Sequence, residues 1–251
     1  MIKFFRRIRQ RLVSQNRFSK YMLYAIGEIA LVMIGILLAL QVSNWNEEQK
    51  NYKKEKAILN SLKSELKTNL DELKIDHKGQ LFFYQATMDV YQYIQNKPTL
   101  VDSMYLDFYI MIRFNYFFPK TSIYETLKSG NLETIKSDSI RESITDIYES
   151  HYQRIISKVD TRRNAARVLF PYYQKHFRTK HVVKNDTIKF GQKLGIPNNY
   201  EFLINDPEFE TLIAEAIDGR NHFVYHYLEA INEVENSIKL IDAYLIKNEN
   251  D

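Results

Sequence analysis

The chain has 251 residues, 45% of them hydrophobic and 14% aromatic, with seven Gly, five Pro and no Cys. The absence of cysteine excludes disulfides, thiol catalysis and Cys-ligated metals. A net charge of +4 would suit nucleic acid, but seven of the 35 basic residues stand in the first twenty positions. Without that tail and Glu28, 28 basic residues face 30 acidic ones, so the charge gives no support to a nucleic-acid partner.

The charges of the tail, residues 1–20, are Lys3, Arg6, Arg7, Arg9, Arg11, Arg17 and Lys20, with no acid among them. Met1, Phe5, Ile8 and Leu12 recur at helical spacing, the pattern of an interfacial amphipathic helix. Beside a bilayer these cations read as contacts to anionic lipid headgroups, worth about 1 kcal/mol each. The pair Arg6-Arg7 lacks the context of a twin-arginine export signal.

Tyr21–Val42 then forms an almost unbroken apolar run of 22 residues. At helical rise it covers about 33 Å, enough for a hydrocarbon core of about 30 Å. The chain divides into a tail (1–20), a transmembrane helix (21–43) and an extracytoplasmic helical domain (44–251). Beyond the run Lys50, Lys53, Lys54 and Lys56 mix with Glu47, Glu48 and Glu55, so the basic excess lies on the tail side and places the N-terminus in the cytoplasm. A cleaved signal peptide is the rival reading. Against it, the run exceeds the usual apolar core of about 7–15 residues, and no small-x-small cleavage site follows.

Glu28 is the only ionisable residue in the run. Helical side chains lean toward the N-terminus, so its carboxyl can snorkel toward Lys20 or sit protonated against Tyr24; alternatively it meets a partner helix. Gly35 and Ala39 make a small-xxx-small pair, with Gly27 on the same face, which permits close approach of a second helix. Trp45 stands where an interfacial aromatic belongs.

Helical periodicity dominates the remainder. Tyr52, Leu59, Leu62, Leu66, Leu70 and Leu73 give a stripe over 46–78, with Gly79 as the expected stop. Shorter helices follow at 80–96, ended by Pro98, and at 102–113. Glu125-Thr126-Leu127-Lys128-Ser129 recurs eight residues later as Glu133-Thr134-Ile135-Lys136-Ser137. Ser122 with Glu125 reads as a capping box, Gly130 as a left-handed helix end, and Ser139 with Glu142 as a second box. A long helix is expected over 139–177, bent at Pro171. A small hairpin is expected near 181–189, turning at Asn185-Asp186. Asp206-Pro207-Glu208 starts the last helix, whose seam is Ile213, Ile217, Arg220, Val224, Tyr227, Ile231, Val234, Ile238, Ile241 and Leu245. The fold class is mostly α: a transmembrane helix continuing into an extracytoplasmic bundle with long antiparallel helices. The 207–247 helix is expected to pack within the bundle ahead of forming a homomeric coiled coil, and a protein partner or a second copy is expected through the span and that helix.

The string Asn16-Arg17-Phe18-Ser19-Lys20-Tyr21, then Tyr24-Ala25-Ile26-Gly27-Glu28-Ile29, Ile34 through Val42 and Asn44-Trp45-Asn46-Glu47, resembles an uncharacterised family of single-span bacterial membrane proteins. Tyr124-Glu125-Thr126-Leu127-Lys128-Ser129-Gly130-Asn131-Leu132 is similar to that family's second motif. The resemblance implies a membrane-anchored helical protein, here at a bacterial inner membrane, and supplies no catalytic residues because the family's function is unknown.

His222 and His226 are spaced to share a helical face, with Glu229 one turn further, which is the weak outline of a metal site. A zinc-protease pattern would need Glu where Phe223 stands. No phosphate-binding glycine loop or Gly-x-Ser-x-Gly elbow occurs, and no cofactor is indicated. Aromatic clusters at 82–93, 105–118 and 170–177 read as core, or as the wall of a ligand pocket. Three functions follow in order of support: a non-enzymatic interaction or scaffold protein, an extracytoplasmic ligand-sensing bundle acting through a separate transducer, and a metal-dependent enzyme.

Overall fold

The computed structural model describes residues 18–130, 132–158, 164–182 and 192–248. The tail cations Lys3 to Arg17 lie outside them. The protein is mostly α with one small antiparallel sheet. In chain order the elements are α1 (Phe18–Asn96), α2 (Met104–Ile110), α3 (Ser122–Gly130), a 3₁₀ turn (Leu132–Thr134), α4 (Asp138–Asp146), a π turn (Ile147–His151), α5 (Tyr152–Lys158), α6 (Ala165–His176), β1 (Phe177–Val182), β2 (Gln192–Pro197), α7 (Tyr200–Leu203) and α8 (Pro207–Lys247). The chain divides into two compact units, Met1–Lys56 and Ala57–Asp251.

In the first unit, α1 carries one segment long and apolar enough to cross a membrane, with a mean hydropathy of 2.3 and no buried residue. Trp45 is exposed. A Cβ built on Gly27 or Gly35 meets nothing within 4 Å.

The second unit is organised by the antiparallel pairing of α1 and α8. Lys63 meets Asp242, Lys74 meets Glu235, and Gln95 meets Glu210, so positions rise along one helix as they fall along the other. Two apolar clusters lie along this pair. One joins Leu59, Leu62, Leu66 and Leu73 to Phe223–Leu245 of α8, with Tyr124, Leu127 and the buried face of α4 and α5. The other joins Val90 and Ile94 to Phe209, Ile213 and Ala216, with α2, α6 and Phe177. Between them α1 buries Asp76, Gln80 and Thr87, and α8 buries Gly219 and Arg220.

Several boundaries depart from the sequence expectations. Gly79 does not stop α1, and its φ is not positive. A Cβ there would come within 2.5 Å of Asn115 Nδ2, so the glycine makes room for the side-chain amide of Asn115 rather than ending the helix. The helix runs on to Asn96, where Lys97 takes a left-handed φ of 48° ahead of Pro98. Gly130 likewise stays out of the left-handed region. The cap of α4 is Ser137, not Ser139: its Oγ accepts from Ile140 N–H. The expected 139–177 helix is interrupted, α5 ending at Lys158 and α6 starting at Ala165 behind its own cap, Asn164. Pro171 lies inside α6. The hairpin exists, with Phe177–Val182 paired to Gln192–Pro197, longer strands than expected. Its turn, including Asn185-Asp186, lies outside the described residues. Gly195 lets β2 press on α2, since a Cβ would sit 3.0 Å from the backbone of Phe108 and Tyr109.

Candidate functional site

Residues 113–121 have no regular structure, so their backbone groups need partners other than a helix or a sheet. They run antiparallel to α1, and polar side chains of α1 supply those partners. Asn69 acts as a peptide mimic: its Nδ2 donates to Lys120 O and its Oδ1 accepts from Lys120 N–H, both at 2.8 Å. Glu72 Oε1 accepts from Phe118 N–H at 3.1 Å. Glu65 Oε2 accepts from Ser122 Oγ and Ile123 N–H at 2.9 Å, and its Oε1 accepts from Tyr148 Oη at 2.8 Å and Tyr124 N–H at 3.4 Å.

Glu65 therefore caps α3 from a helix nearly sixty residues away in sequence. A carboxylate suits the positive end of a helix and its orphan N–H groups. The local Ser122–Glu125 box gives way to this arrangement: Ser122 is the first residue of α3, and its hydroxyl donates to Glu65. Tyr124 stacks on Tyr148 with ring centroids 4.3 Å apart, and its hydroxyl donates to Glu149, which also accepts from Lys128. The π turn delivers Tyr148 to this place; Tyr152 N–H reaches back five residues to Ile147 O. Burial, followed by the Glu65 bond, pushes the Tyr148 phenol well above the ordinary tyrosine range, so it stays a donor.

Arg220 approaches the same segment from α8. It is 1% exposed, and Nη2 donates to Met111 O at 2.7 Å and Arg113 O at 3.0 Å. Its guanidinium lies 5.5 Å from the centre of the Phe83 ring. Nε and Nη1 have no hydrogen-bond partner among the described residues. Burial pushes its pKa down to about 9, which leaves it charged at neutral pH. Nearby, Asp76, Gln80 and Tyr227 lie buried beside one another, close enough to interact, though Asp76 Oδ2, both amide atoms of Gln80 and the Tyr227 hydroxyl form no well-shaped hydrogen bond among the described residues. Burial, with the charge of Glu72 adding, pushes Asp76 up to about 6.

In front of the backbone held by Arg220 opens a cleft of about 430 Å³, lined by Ile112, Arg113, Phe114, Tyr116, Asn164, Ala166, Arg167 and Phe170. Among the described residues, two arginines and three aromatic rings line it, and no carboxylate does. The cleft unites members of the 105–118 and 170–177 aromatic clusters; of the others, Phe108, Phe117, Tyr172, Tyr173 and Phe177 are core, Tyr105 and Tyr109 pack partly buried against it, and Phe118 is exposed.

The histidines do not converge. His222 Nδ1 pairs with Asp218 O at 2.8 Å, and His226 Nδ1 with Glu229 Oε2 at 3.2 Å. Among the described residues no group of three or more His, Asp or Glu is arranged to hold a metal ion. Glu28, Gly27, Gly35, Ala39 and Trp45 are spread along the N-terminal part of α1, away from these groups in sequence.

A model of a family of unknown function, DUF6090, matches residues 28–215. The chain belongs to that family. Neither a curated protein nor a solved structure matches it. The matched stretch holds Glu65, the Tyr124–Leu132 motif and the whole cleft, and it ends five residues short of Arg220.

The leucine stripe of α1 does not mark Glu65, Asn69 and Asp76, which stand three positions after Leu62, Leu66 and Leu73. The available signal was a polar residue at a core position. Arg220 carried that signal openly, as the one charged residue in the α8 seam.

Proposed function

We propose that this DUF6090 protein is a single-pass protein of a bacterial inner membrane, with a cytoplasmic N-terminus and its helical domain on the far side, and that it works without catalysis by holding a partner. The observation carrying this reading is the apolar segment of α1, on which no residue is buried. Apolar surface this continuous requires a non-aqueous surrounding. The one-sided cations support the orientation and contact with anionic lipid. The open face at Gly27, Gly35 and Ala39 supports a helical partner or a second copy, with α8 as a further contact.

Photo-crosslinking from Ala39 in native membranes tests this. A stoichiometric adduct, lost in Gly35→Leu, is expected. A clean monomer at every exposure overturns it. A reporter fused after Asp251 should be active only outside the cytoplasm.

A second reading, small-molecule sensing, is favoured by the cleft at Arg113 and Arg167. In that reading a separate transducer carries the signal onward.

A further inference from the structure

We infer that the cleft binds an aromatic carboxylate, its anionic group taken by Arg113 and Arg167 and its ring by Tyr116 and Phe170. This deepens the sensing reading and rests on it.

Charge is the first argument. The region after the apolar segment carries 28 basic and 30 acidic residues, yet among the described residues lining the cleft two are arginines and none is an acid. A positive recess in a slightly negative body selects anions. Arg113 is exposed, and no carboxylate among the described residues pairs with it. Its Nη1 makes only a long 3.4 Å bond to Tyr109 Oη, with the guanidinium 5.7 Å from the centre of that ring. A guanidinium so placed keeps its forked donors for a carboxylate, which they fit in bidentate fashion.

Preorganisation is the second. Arg113 is an exposed side chain on an anchored backbone, because the buried Arg220 holds its carbonyl at 3.0 Å. Phe114, beside it, is fixed edge-on between Tyr116 and Phe223, with centroids 5.1 and 5.3 Å away. A site held in its binding geometry loses less entropy when a ligand arrives.

Shape and wall chemistry are the third. About 430 Å³ matches a small-molecule site. Tyr116 is 56% and Phe170 46% exposed, so two rings offer free surface to a planar ligand, which they would stack against. Inorganic anions would use the cations and leave these rings idle.

The test is calorimetric titration of the full chain in phosphatidylcholine nanodiscs with 4-hydroxyphenylacetate, its neutral amide and inorganic phosphate. Expected are saturable one-to-one binding of the acid, at least tenfold weaker binding of the amide, and no comparable binding of phosphate. Arg113→Gln should weaken the acid at least tenfold without shifting the melting temperature, and Arg113→Lys should fall between. Equal binding of acid and amide overturns the anionic assignment and leaves the sensing reading standing. Phosphate binding as tight as the acid overturns the aromatic part. An unchanged Arg113→Gln overturns the role of the guanidinium, and no binding of any probe overturns both inference and reading.

Discussion

Glu65 and Arg220 are buried charges on opposite helices that fasten the two ends of the irregular stretch 113–121, Glu65 at the start of α3 that follows it and Arg220 at Met111 and Arg113, and they are satisfied to very different degrees. Glu65 accepts four hydrogen bonds, two from backbone N–H groups of α3, one from Ser122 and one from Tyr148. Arg220 uses a single nitrogen for two carbonyls and leaves two donor nitrogens without partners among the described residues. A buried charge is tolerated when its hydrogen-bonding capacity is filled and is a burden when it is not. The first is thus a finished joint. The second holds a loop while retaining a desolvation cost, and that loop forms the wall of the cleft.

The largest effect is expected at the finished joint. Glu65→Ala removes the cap of α3 and the acceptor for a buried phenol together, and should cost about 3–4 kcal/mol in chemical denaturation. Glu65→Gln keeps one acceptor oxygen and should recover roughly half of that loss. Amide exchange at Ile123 and Tyr124 should accelerate in the alanine variant. Little destabilisation would mean that these bonds are decorative.

Arg220→Met should cost less, about 1–2 kcal/mol. Two carbonyls lose their donor, but the desolvated charge disappears and the methionine chain fills much of the same volume. Exchange should quicken around Met111–Arg113 and leave α3 untouched. A cost above that of Glu65→Ala would reverse the contrast drawn here.

The same contrast explains what could be read without coordinates. Long helices announce themselves through periodicity, so α8 began where Asp206-Pro207 placed it, and Asp206 does accept from Glu208 N–H. Pro98 fixed the end of α1 for the same local reason. Ser122–Glu125 and Ser139–Glu142 are also local patterns, yet both failed, one displaced by a distant carboxylate and the other by Ser137. Gly79 failed likewise, since its reason is the side chain of Asn115, 36 positions on in the sequence. The cleft was legible only as a surplus of aromatics at 105–118 and 170–177. Which of them line it depends on where 113–121 runs, and that is decided by Asn69, Glu72 and Arg220.

Asp76 sharpens the comparison through pH. Its folded pKa is raised to about 6 from 3.8, so between those values the folded state binds more protons than the unfolded state. Stability should therefore fall as pH rises through this window, with the loss complete above about pH 6. Asp76→Asn should remove that slope. His77 works in the opposite direction, because burial lowers its pKa below 6.5 and disfavours its protonation in the folded state. The informative quantity is therefore the difference between urea midpoints of wild type and Asp76→Asn at pH 4.5 and 7.5, which cancels His77. Parallel pH profiles would show that Asp76 is not held at a buried cost.

The smallest effect belongs to the ion pairs on the flank of α1 and α8. Lys63 Nζ lies 2.7 Å from Asp242 Oδ1, with side chains 22% and 44% exposed. Solvent screens such a pair, and both side chains lose rotamer freedom to form it, so a double-mutant cycle with Lys63→Ala and Asp242→Ala should give a coupling of about 0.3–0.5 kcal/mol, diminished at high salt. The pair is closer than any bond that Glu65 makes, and the difference in expected effect is a matter of water. Where solvent can replace a partner, loss of the bond is largely made good; at Glu65 nothing replaces it, and at Arg220 part of the replacement is already missing in the intact protein. A coupling at Lys63–Asp242 rivalling the loss in Glu65→Ala would show that burial does not rank these interactions.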